Sequence, residues 1–320
     1  MKKSNASKSF SLSQNLFKFG IVYLLIIQII VASLLSKNFL TGSNMINVIR
    51  QASTTVIAAL GMGMIIIIGG FDLSVGSVTA LAGMLVAGAM VKWGFSVPLA
   101  VLFTLAVGFL YGFLNGIIIG KFQISPMIVT LATMNAARGI AMLYEDGAQI
   151  IGLPSAFAKI GRGYILGLPV PVWIMFVLII LVYLVVSKTV FGKYLYAIGG
   201  NEKVARMAGI NVMATKVLAY SLCSVMASVV GIIYAARLNM GDPTVGEGVE
   251  MDAIASAVLG GINLYGGRGN ILGAVAGALF ISVLSNALNL IGISSFWQLV
   301  VKAFVLIVAA MIYTKRNSND

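Results

Sequence analysis

The sequence predicts an all-α fold, a polytopic transmembrane helical bundle of about ten spans with broken or re-entrant helices and one short cytoplasmic helix. Hydrophobic residues make up 60% of the chain and charged residues only 9%, whereas about a quarter of the residues in a soluble domain are charged. Apolar runs recur at the length of roughly 20 residues that crosses the hydrocarbon of a bilayer. The 36 glycines suit membrane helices that pack closely together.

In chain order, the predicted spans are residues 19–36, 46–69, 73–91, 97–120, 124–143, 170–187, 216–236, 252–262 with a break, 270–291 and 297–313. They form a single domain, 19–313, whose polar loop 188–215 is expected in the cytoplasm. Residues 1–18 form a basic N-terminus and residues 314–320 the C-terminus. The first apolar run is long and lacks a clear small-x-small cleavage site, so we expect a retained span and not a signal peptide.

The charge distribution predicts the topology. The net charge of +12 could suggest a nucleic-acid ligand, but most Lys and Arg residues fall on one side when the N-terminus is placed in the cytoplasm. Most acidic residues fall on the other side: Glu145, Asp146, Asp242, Glu247, Glu250 and Asp252. This is the positive-inside asymmetry of membrane proteins. We therefore expect both termini in the cytoplasm and no nucleic-acid partner.

The sequence offers no metal or redox chemistry. It contains no histidine, and its single cysteine, Cys223, stands in an apolar stretch. These observations exclude a disulfide framework and the commonest metal ligand and proton shuttle. We expect no metal site and no cofactor in this chain.

A short motif of the form GGx[DN]LxxG occurs twice, at 69–76 (GGFDLSVG) and at 260–267 (GGINLYGG). Each copy follows an apolar run and precedes a helix of small residues. Glycine-interrupted spans in corresponding positions indicate a transport site. Two independent tight turns, each using Gly and Asp or Asn for backbone reasons, explain the same pattern.

Polar side chains within the spans allow two interpretations. A buried carboxylate such as Asp72 is costly unless it is hydrogen-bonded. It could accept hydrogen bonds from a polar solute, or it could be the N-cap of a helix that begins at Leu73, accepting from the amide of Ser74 or Val75. Amides in the spans suit interhelical hydrogen bonds or a ligand: Asn115, Asn135, Asn286, Asn289 and Gln298. Arg138 and Lys302 are expected to snorkel to the interface.

Phe191–Asn211, the polar island, interrupts the apolar sequence. Asn201 is a predicted N-cap with Glu202 in the first turn, and Gly209 is a predicted C-terminal stop. The short helix between them is unstable alone, so it must pack either on its own bundle or on a cytoplasmic partner. No GxxxxGK[ST] motif is present, so the chain has no recognisable means to hydrolyse a nucleotide.

Four blocks resemble the permeases of bacterial ribose-type ABC sugar importers, a branched permease family. They are GGFDLSVGS at 69–77, GKYLYAIGGNEKVARMAGINV at 192–212, DPTVGEGVEMDAIASAVLGG at 242–261, and YGGRGNILGAVAGALF with NALNLIGISSFWQ at 265–280 and 286–298. The resemblance runs from about Phe39 to Ile312. Asn263 departs from the family, whose members often have Thr-Ser-Leu where this chain has Asn-Leu-Tyr.

The resemblance implies a non-enzymatic transporter subunit of the bacterial plasma membrane that imports a monosaccharide, ribose above all. It implies four partners: a second permease copy, a cytoplasmic ABC ATPase that holds ATP and Mg²⁺, an extracytoplasmic sugar-binding protein and the sugar. The alternatives are a secondary transporter with Asp72 as a proton or sodium site and a membrane protein without transport activity.

The resemblance also assigns site residues. The predicted ATPase-coupling residues are Gly199, Gly200, Asn201, Glu202, Lys203, Ala205, Arg206 and Gly209. The predicted docking charges for the binding protein are Asp242, Glu247 and Glu250. Our candidates for the translocation path are Asp72, Ser74, Asn115, Asn263 and Asn286.

Overall fold

The computed structural model describes residues 20–317, so the predicted basic segment 1–18 lies outside the described residues. Thirteen helices and one two-stranded hairpin make up this part of the chain. In order they are α1 (Gly20–Leu35), α2 (Gly42–Ile67), α3 (Val75–Val91), α4 (Val97–Phe122), α5 (Pro126–Leu143), α6 (Ser155–Arg162), β1 (Tyr164–Ile165), β2 (Leu168–Pro169), α7 (Val170–Lys188), α8 (Val190–Gly200), α9 (Glu202–Met207), α10 (Val212–Leu238), α11 (Val249–Leu259), α12 (Ile271–Leu290) and α13 (Ser295–Asn317).

The helices confirm the predicted membrane protein. Six helices in the described range are long and apolar enough to cross a bilayer: α2, α4, α5, α7, α10 and α12. The apolar helices α1, α3 and α13 are shorter or more briefly apolar, and α11 has only 11 residues. Together these ten helices correspond to the ten predicted spans, with α11 as the broken one.

Contacts between loops define two ends of the bundle. At the island end, Gly199 of α8 lies against the carbonyl of Ile67 and the amide of Gly267, so the polar island, the end of α2 and the α11–α12 loop meet there. At the hairpin end, Lys92 pairs with Glu145, which joins the end of α3 to the segment after α5. Successive spans therefore alternate in direction between the island end and the hairpin end.

The centre of the bundle is α2, whose residues from Ala52 to Ile67 are almost all buried beneath α7, α10, α11 and α12. The most extensive helix pair is α4 with α10. Four glycines of α4 at intervals of four residues form the contact: Gly108, Gly112, Gly116 and Gly120. A side chain at Gly116 would collide with the backbone of Val217, so the two backbones approach as closely as glycine allows.

Residues 144–169 cover the hairpin end. Phe157 and Gly161 of α6 are buried, and Arg162 donates from Nε to the carbonyl of Arg237 (2.6 Å) and from an Nη to that of Leu238 (3.0 Å). A cation there satisfies the last carbonyls of α10 and suits the negative end of the helix dipole. This segment is thereby fixed to the end of α10.

Candidate translocation and coupling sites

Asp72 is fully buried between α2 and α3. Its Oδ1 accepts hydrogen bonds from the Ser74 amide (2.9 Å) and the Ser74 hydroxyl (2.5 Å). The predicted hydrogen bond to the Ser74 amide is confirmed. The predicted helix start at Leu73 is wrong, because α3 begins at Val75 and Asp72 closes a tight turn before the helix.

The surroundings of Asp72 have spare hydrogen-bonding capacity. Asp72 Oδ2 and Asn115 Oδ1 are buried and have no hydrogen-bond partner among the described residues. Asn115 Nδ2 donates to Ser74 Oγ (3.4 Å), and the Cys223 thiol faces the Asp72 carboxyl group. We call Asp72, Ser74, Asn115 and Cys223 the Asp72 cluster. Because unpaired buried polar atoms are costly, this cluster is a candidate site for a polar solute.

The second glycine motif forms a similar turn elsewhere. Asn263 Oδ1 accepts from the Tyr265 amide (3.0 Å), as Asp72 Oδ1 accepts from the amide two residues later. A side chain at Gly266 would lie 2.8 Å from the Cα of Gly69, so the two motifs touch at the island end. Asn263 does not hydrogen-bond to the Asp72 cluster; its described contacts serve its own turn.

Asn286 takes part in helix packing. Its amide exchanges two hydrogen bonds with Asn44, at 3.0 and 2.9 Å, between α12 and α2. Asn44 Nδ2 also donates to the carbonyl of Phe39 (2.8 Å). Of the five predicted path residues, the structure therefore brings together Asp72, Ser74 and Asn115.

The polar island folds into two helices, where the sequence predicted only one. The unpredicted helix is α8, which begins at a Thr189 cap. The predicted caps of α9 are confirmed: Asn201 Oδ1 accepts from the Val204 amide (3.1 Å), and Gly209 has the left-handed φ of +82° that ends the helix.

The exposed surface of α9 is partly apolar. Val204 is 60% exposed and Met207 is 89% exposed, whereas Ala205 is buried. Gly200, Asn201, Lys203 and Arg206 are also exposed. The apolar side chains of Val204 and Met207 therefore point away from the bundle, which favours the second of the two open interpretations, packing on a partner.

Glu202 forms two ion pairs, one with Lys216 that joins α9 to α10 and one with Arg206 that lies within α9. Glu202 accepts from Lys216 Nζ of α10 (2.7 Å) and from Arg206 (3.0 Å). Burial raises the pKa of Glu202, but the hydrogen bonds and positive charges of Lys216 and Arg206 outweigh it, so its pKa lies below the usual value. A cavity of about 320 Å³ beneath this pair is lined by Gly70, Gln123, Ser125, Glu202, Lys216 and Tyr220. The Glu202–Lys216 ion pair therefore holds α9 at the edge of this cavity.

The predicted docking charges occupy different depths. Asp242 lies at the hairpin end, where its carboxylate accepts from the Thr244 amide (2.8 Å) and from Gln149 (2.7 Å). Burial alone would raise the pKa of Asp242, but these hydrogen bonds and the charge of Arg138 lower it. Glu247 is exposed, and the Glu250 carboxylate lies against Gly76 in the first turn of α3. The structure does not bring the three together.

Arg138 and Lys302, the two cations expected to snorkel, both contact protein groups. Arg138 donates to the carbonyls of Pro243 (2.5 Å) and Val245 (3.0 Å). Lys302 forms an ion pair with Asp252 (2.8 Å). Both side chains find protein partners because the segment after α10 and the first turn of α11 come within reach, which span lengths alone do not reveal. No cluster of three or more metal-ligating His, Cys, Asp or Glu residues occurs in the part of the chain that the structure describes.

Comparisons with known proteins show similarity to membrane transport permeases. The family model described as "Branched-chain amino acid transport system / permease component" matches residues 44–310. The ribose import permease RbsC of Bacillus subtilis is 43% identical over 296 residues, covering 92% of each chain. That of Haemophilus influenzae is 40% identical, covering 96% of each chain. The L-arabinose transport system permease AraH of Escherichia coli is 37% identical, covering 96% of this chain and 94% of its own.

No solved structure matches the chain. The family match covers most of the sequence, and the relatives align over nearly their whole lengths. The chain therefore belongs to the branched family of membrane transport permeases, in its ribose-type group.

Proposed function

We propose that the chain is the membrane-spanning subunit of an ATP-driven, binding-protein-dependent importer of ribose. The observation that carries this proposal is the 40–43% identity with ribose import permeases along 92–96% of the chain. ATP and Mg²⁺ bind a separate cytoplasmic ATPase, and a second copy of this chain completes the path. The protein sits in the bacterial plasma membrane with the island end and both termini in the cytoplasm.

The polar island is the coupling element in this proposal. Its support is geometric, because α9 presents Val204, Met207 and Arg206 outward, while buried Ala205 and the ion pair of Glu202 with Lys216 fix it to the bundle. A helix held in this way can transmit a rigid-body movement of the ATPase to α10, which carries Lys216. Gly199 meets the end of α2 and the α11–α12 loop, so the same movement reaches both glycine motifs.

Binding of ATP to the ATPase favours one packing of the bundle, and hydrolysis restores the other. The binding protein delivers sugar at the hairpin end, where Asp242 is our candidate docking charge. The Asp72 cluster is the candidate polar group beside the path. Asn263 and Asn286 remain predictions for the path, although the contacts of both favour a structural role.

Reconstitution tests the function. The chain would be placed in lipid vesicles with a candidate ATPase and sugar-binding protein from the same organism, and uptake of labelled ribose, xylose and arabinose would be followed. We expect ATP-dependent uptake that requires the binding protein and prefers ribose. Uptake of another sugar alone would overturn the ribose assignment, and uptake without ATP or binding protein would overturn the importer class.

The buried, unpartnered Asp72 Oδ2 favours one second candidate, a proton- or sodium-coupled transporter, because intramembrane acids mark such relays. Vesicles that contain only this chain distinguish the two. An imposed pH or sodium gradient should drive no sugar uptake under the importer proposal, and gradient-driven uptake would establish the secondary transporter.

A further inference from the structure

The segment between α10 and α11 descends into the bundle alongside α3. Near its beginning, a side chain at Gly241 would lie 2.7 Å from Ala87 Cβ, and near its end one at Gly246 would lie 3.1 Å from Thr79 Cβ. A side chain at Gly76 would collide with both the Gly246 carbonyl and the Glu250 carboxylate. The segment therefore follows α3 from its last turns to its first.

The depth of this segment follows from helix geometry. Gly76 precedes Val91, the last residue of α3, by 15 positions, so Gly246 lies about 22 Å along the helix axis from the hairpin end at 1.5 Å per residue. The 11 residues of α11 then span roughly 16 Å toward the island end. Because the hydrocarbon of a bilayer is about 30 Å thick, Gly246 and Glu247 lie within it.

Irregular backbone at this depth is tolerated only where it is buried in protein or lines a water-filled cavity. The protein covers part of the segment: Arg138 binds the carbonyls of Pro243 and Val245, and Gly241 pairs with Ile150. Thr244 and Glu247 are nevertheless exposed, and Met251 in the first turn of α11 is 49% exposed. One uncovered face thus runs down the segment.

An exposed carboxylate distinguishes water from lipid as the surroundings of this face. A charged acidic side chain near the bilayer centre is costly in lipid, and Glu247 has no salt-bridge partner among the described residues. By contrast, the exposed residues in the middle of α7 are apolar, such as Ile180 at 59% and Val177 at 54%. The apolar surface of α7 is therefore compatible with contact to lipid, whereas the exposed carboxylate of Glu247 requires contact with water.

We propose that residues 241–252 form a re-entrant wall of the sugar path, that Glu247 accepts hydrogen bonds from sugar hydroxyls there, and that Arg138 is the positioning residue that holds the wall. The sugar role rests on the proposed function; the water-lined wall does not. A single carboxylate on an open wall binds weakly, which suits a path that a solute must also leave. The opposite wall comes from the second copy.

A nitroxide at Glu247→Cys tests the wall in the full-length chain in lipid nanodiscs. Cys223 is 1% exposed, so the new thiol is the accessible one among the described residues. We expect a polar nickel complex to relax this nitroxide more strongly than oxygen does, and the reverse at the matched lipid-facing control Ile180→Cys. Stronger relaxation by oxygen at position 247, or by neither reagent, would overturn the water-lined wall.

A charge substitution tests the sugar contact. Glu247→Gln should lower the rate of ATP-driven ribose uptake while stimulation of the ATPase by the loaded binding protein stays normal, and Glu247→Asp should retain more of the uptake. Loss of that stimulation would instead make Glu247 a docking charge. Unchanged uptake in Glu247→Gln would refute the sugar contact. If the wild type transports no ribose, the proposed function fails. The nitroxide measurement still shows whether residues 241–252 form a water-lined wall.

The positioning role of Arg138 has its own readout. Arg138→Met keeps most of the side-chain length but removes both hydrogen bonds to the segment, so the nitroxide at position 247 should become more mobile. Arg138→Lys retains one donor group and should restore part of the immobilisation. Equal nitroxide mobility in all three proteins would remove Arg138 from the proposal.

Discussion

Asn44 and Asn286 exchange two amide hydrogen bonds, at 3.0 and 2.9 Å, and thereby join α2 to α12. Each such bond between membrane helices contributes roughly 0.6–2 kcal/mol. Asn286→Ala should therefore lower the free energy of unfolding by about 1–3 kcal/mol, since it also leaves the Asn44 amide partly unpaired. Denaturation in mild detergent measures the change.

A double-mutant cycle on Asn44 and Asn286 distinguishes a role of Asn286 in helix packing from a role in the translocation path. If the pair serves packing, Asn44→Ala and Asn286→Ala should couple in a double-mutant cycle, because each removes the same bonds. A path role predicts the opposite pattern, with normal stability and impaired sugar uptake in Asn286→Ala. Additive stability effects in the cycle would contradict the hydrogen-bonded clamp.

The glycine stripe of α4 gives a second prediction. A side chain at Gly112 would collide with the carbonyl of Tyr220 on α10, whereas one at Gly139 of α5 would meet nothing within 4 Å. Gly112→Val should lower the free energy of unfolding by about 1–3 kcal/mol, the usual cost of overpacking. Gly139→Val should have a smaller effect. Thermal unfolding of the two purified variants compares them. Equal stability would contradict the close approach of α4 and α10.

The sequence predicts the local elements of the fold but not the contacts between distant segments. Hydropathy and charge asymmetry predict ten spans, and the caps Asn201 and Gly209 predict α9, because these signals are local. The partners of Arg138, Lys216 and Lys302 lie 14 to 107 residues away along the chain. Such contacts depend on how helices pack and on where the segment after α10 goes, and no local pattern encodes either.

The exposed end of α9 gives a third prediction. Met207 is 89% exposed on the proposed coupling surface, and Leu166 is 88% exposed at the opposite end. An acidic residue in an apolar interface is disfavoured, so Met207→Asp should abolish binding of the ATPase while leaving membrane insertion intact. Leu166→Asp, the matched control, should bind the ATPase normally. Pull-down of the ATPase in detergent measures both, and equal binding would remove α9 from the interface.

The ion pairs of Glu202 predict a pH dependence. Lys216 and Arg206 lower the pKa of Glu202 below its usual value of 4.5. A depressed carboxyl pKa contributes stability that is fully present above the usual value and is lost as the pH falls through the lowered value. A spin label at Lys203→Cys should therefore stay immobile from neutral pH down to 4.5 and gain mobility only below it.

Glu202→Gln provides the control for that titration. This variant lacks the carboxylate at every pH, so the same label should be mobile throughout. A wild-type transition above pH 4.5 would show that Lys216 and Arg206 do not depress the pKa. An immobile label in Glu202→Gln would show that the ion pair with Lys216 does not fix α9.

The two oxygens of Asp72 can be tested separately. Oδ1 closes the turn onto Ser74, and an asparagine at position 72 keeps an oxygen for that bond, whereas an alanine does not. If only the turn matters, Asp72→Asn should transport normally and Asp72→Ala should lose both stability and transport. If the unpartnered Oδ2 serves the path, Asp72→Asn should fold with normal stability yet lose most of its ribose uptake. Our path assignment for Asp72 predicts the second pattern, and wild-type uptake by both variants would refute any role of the carboxyl group in transport.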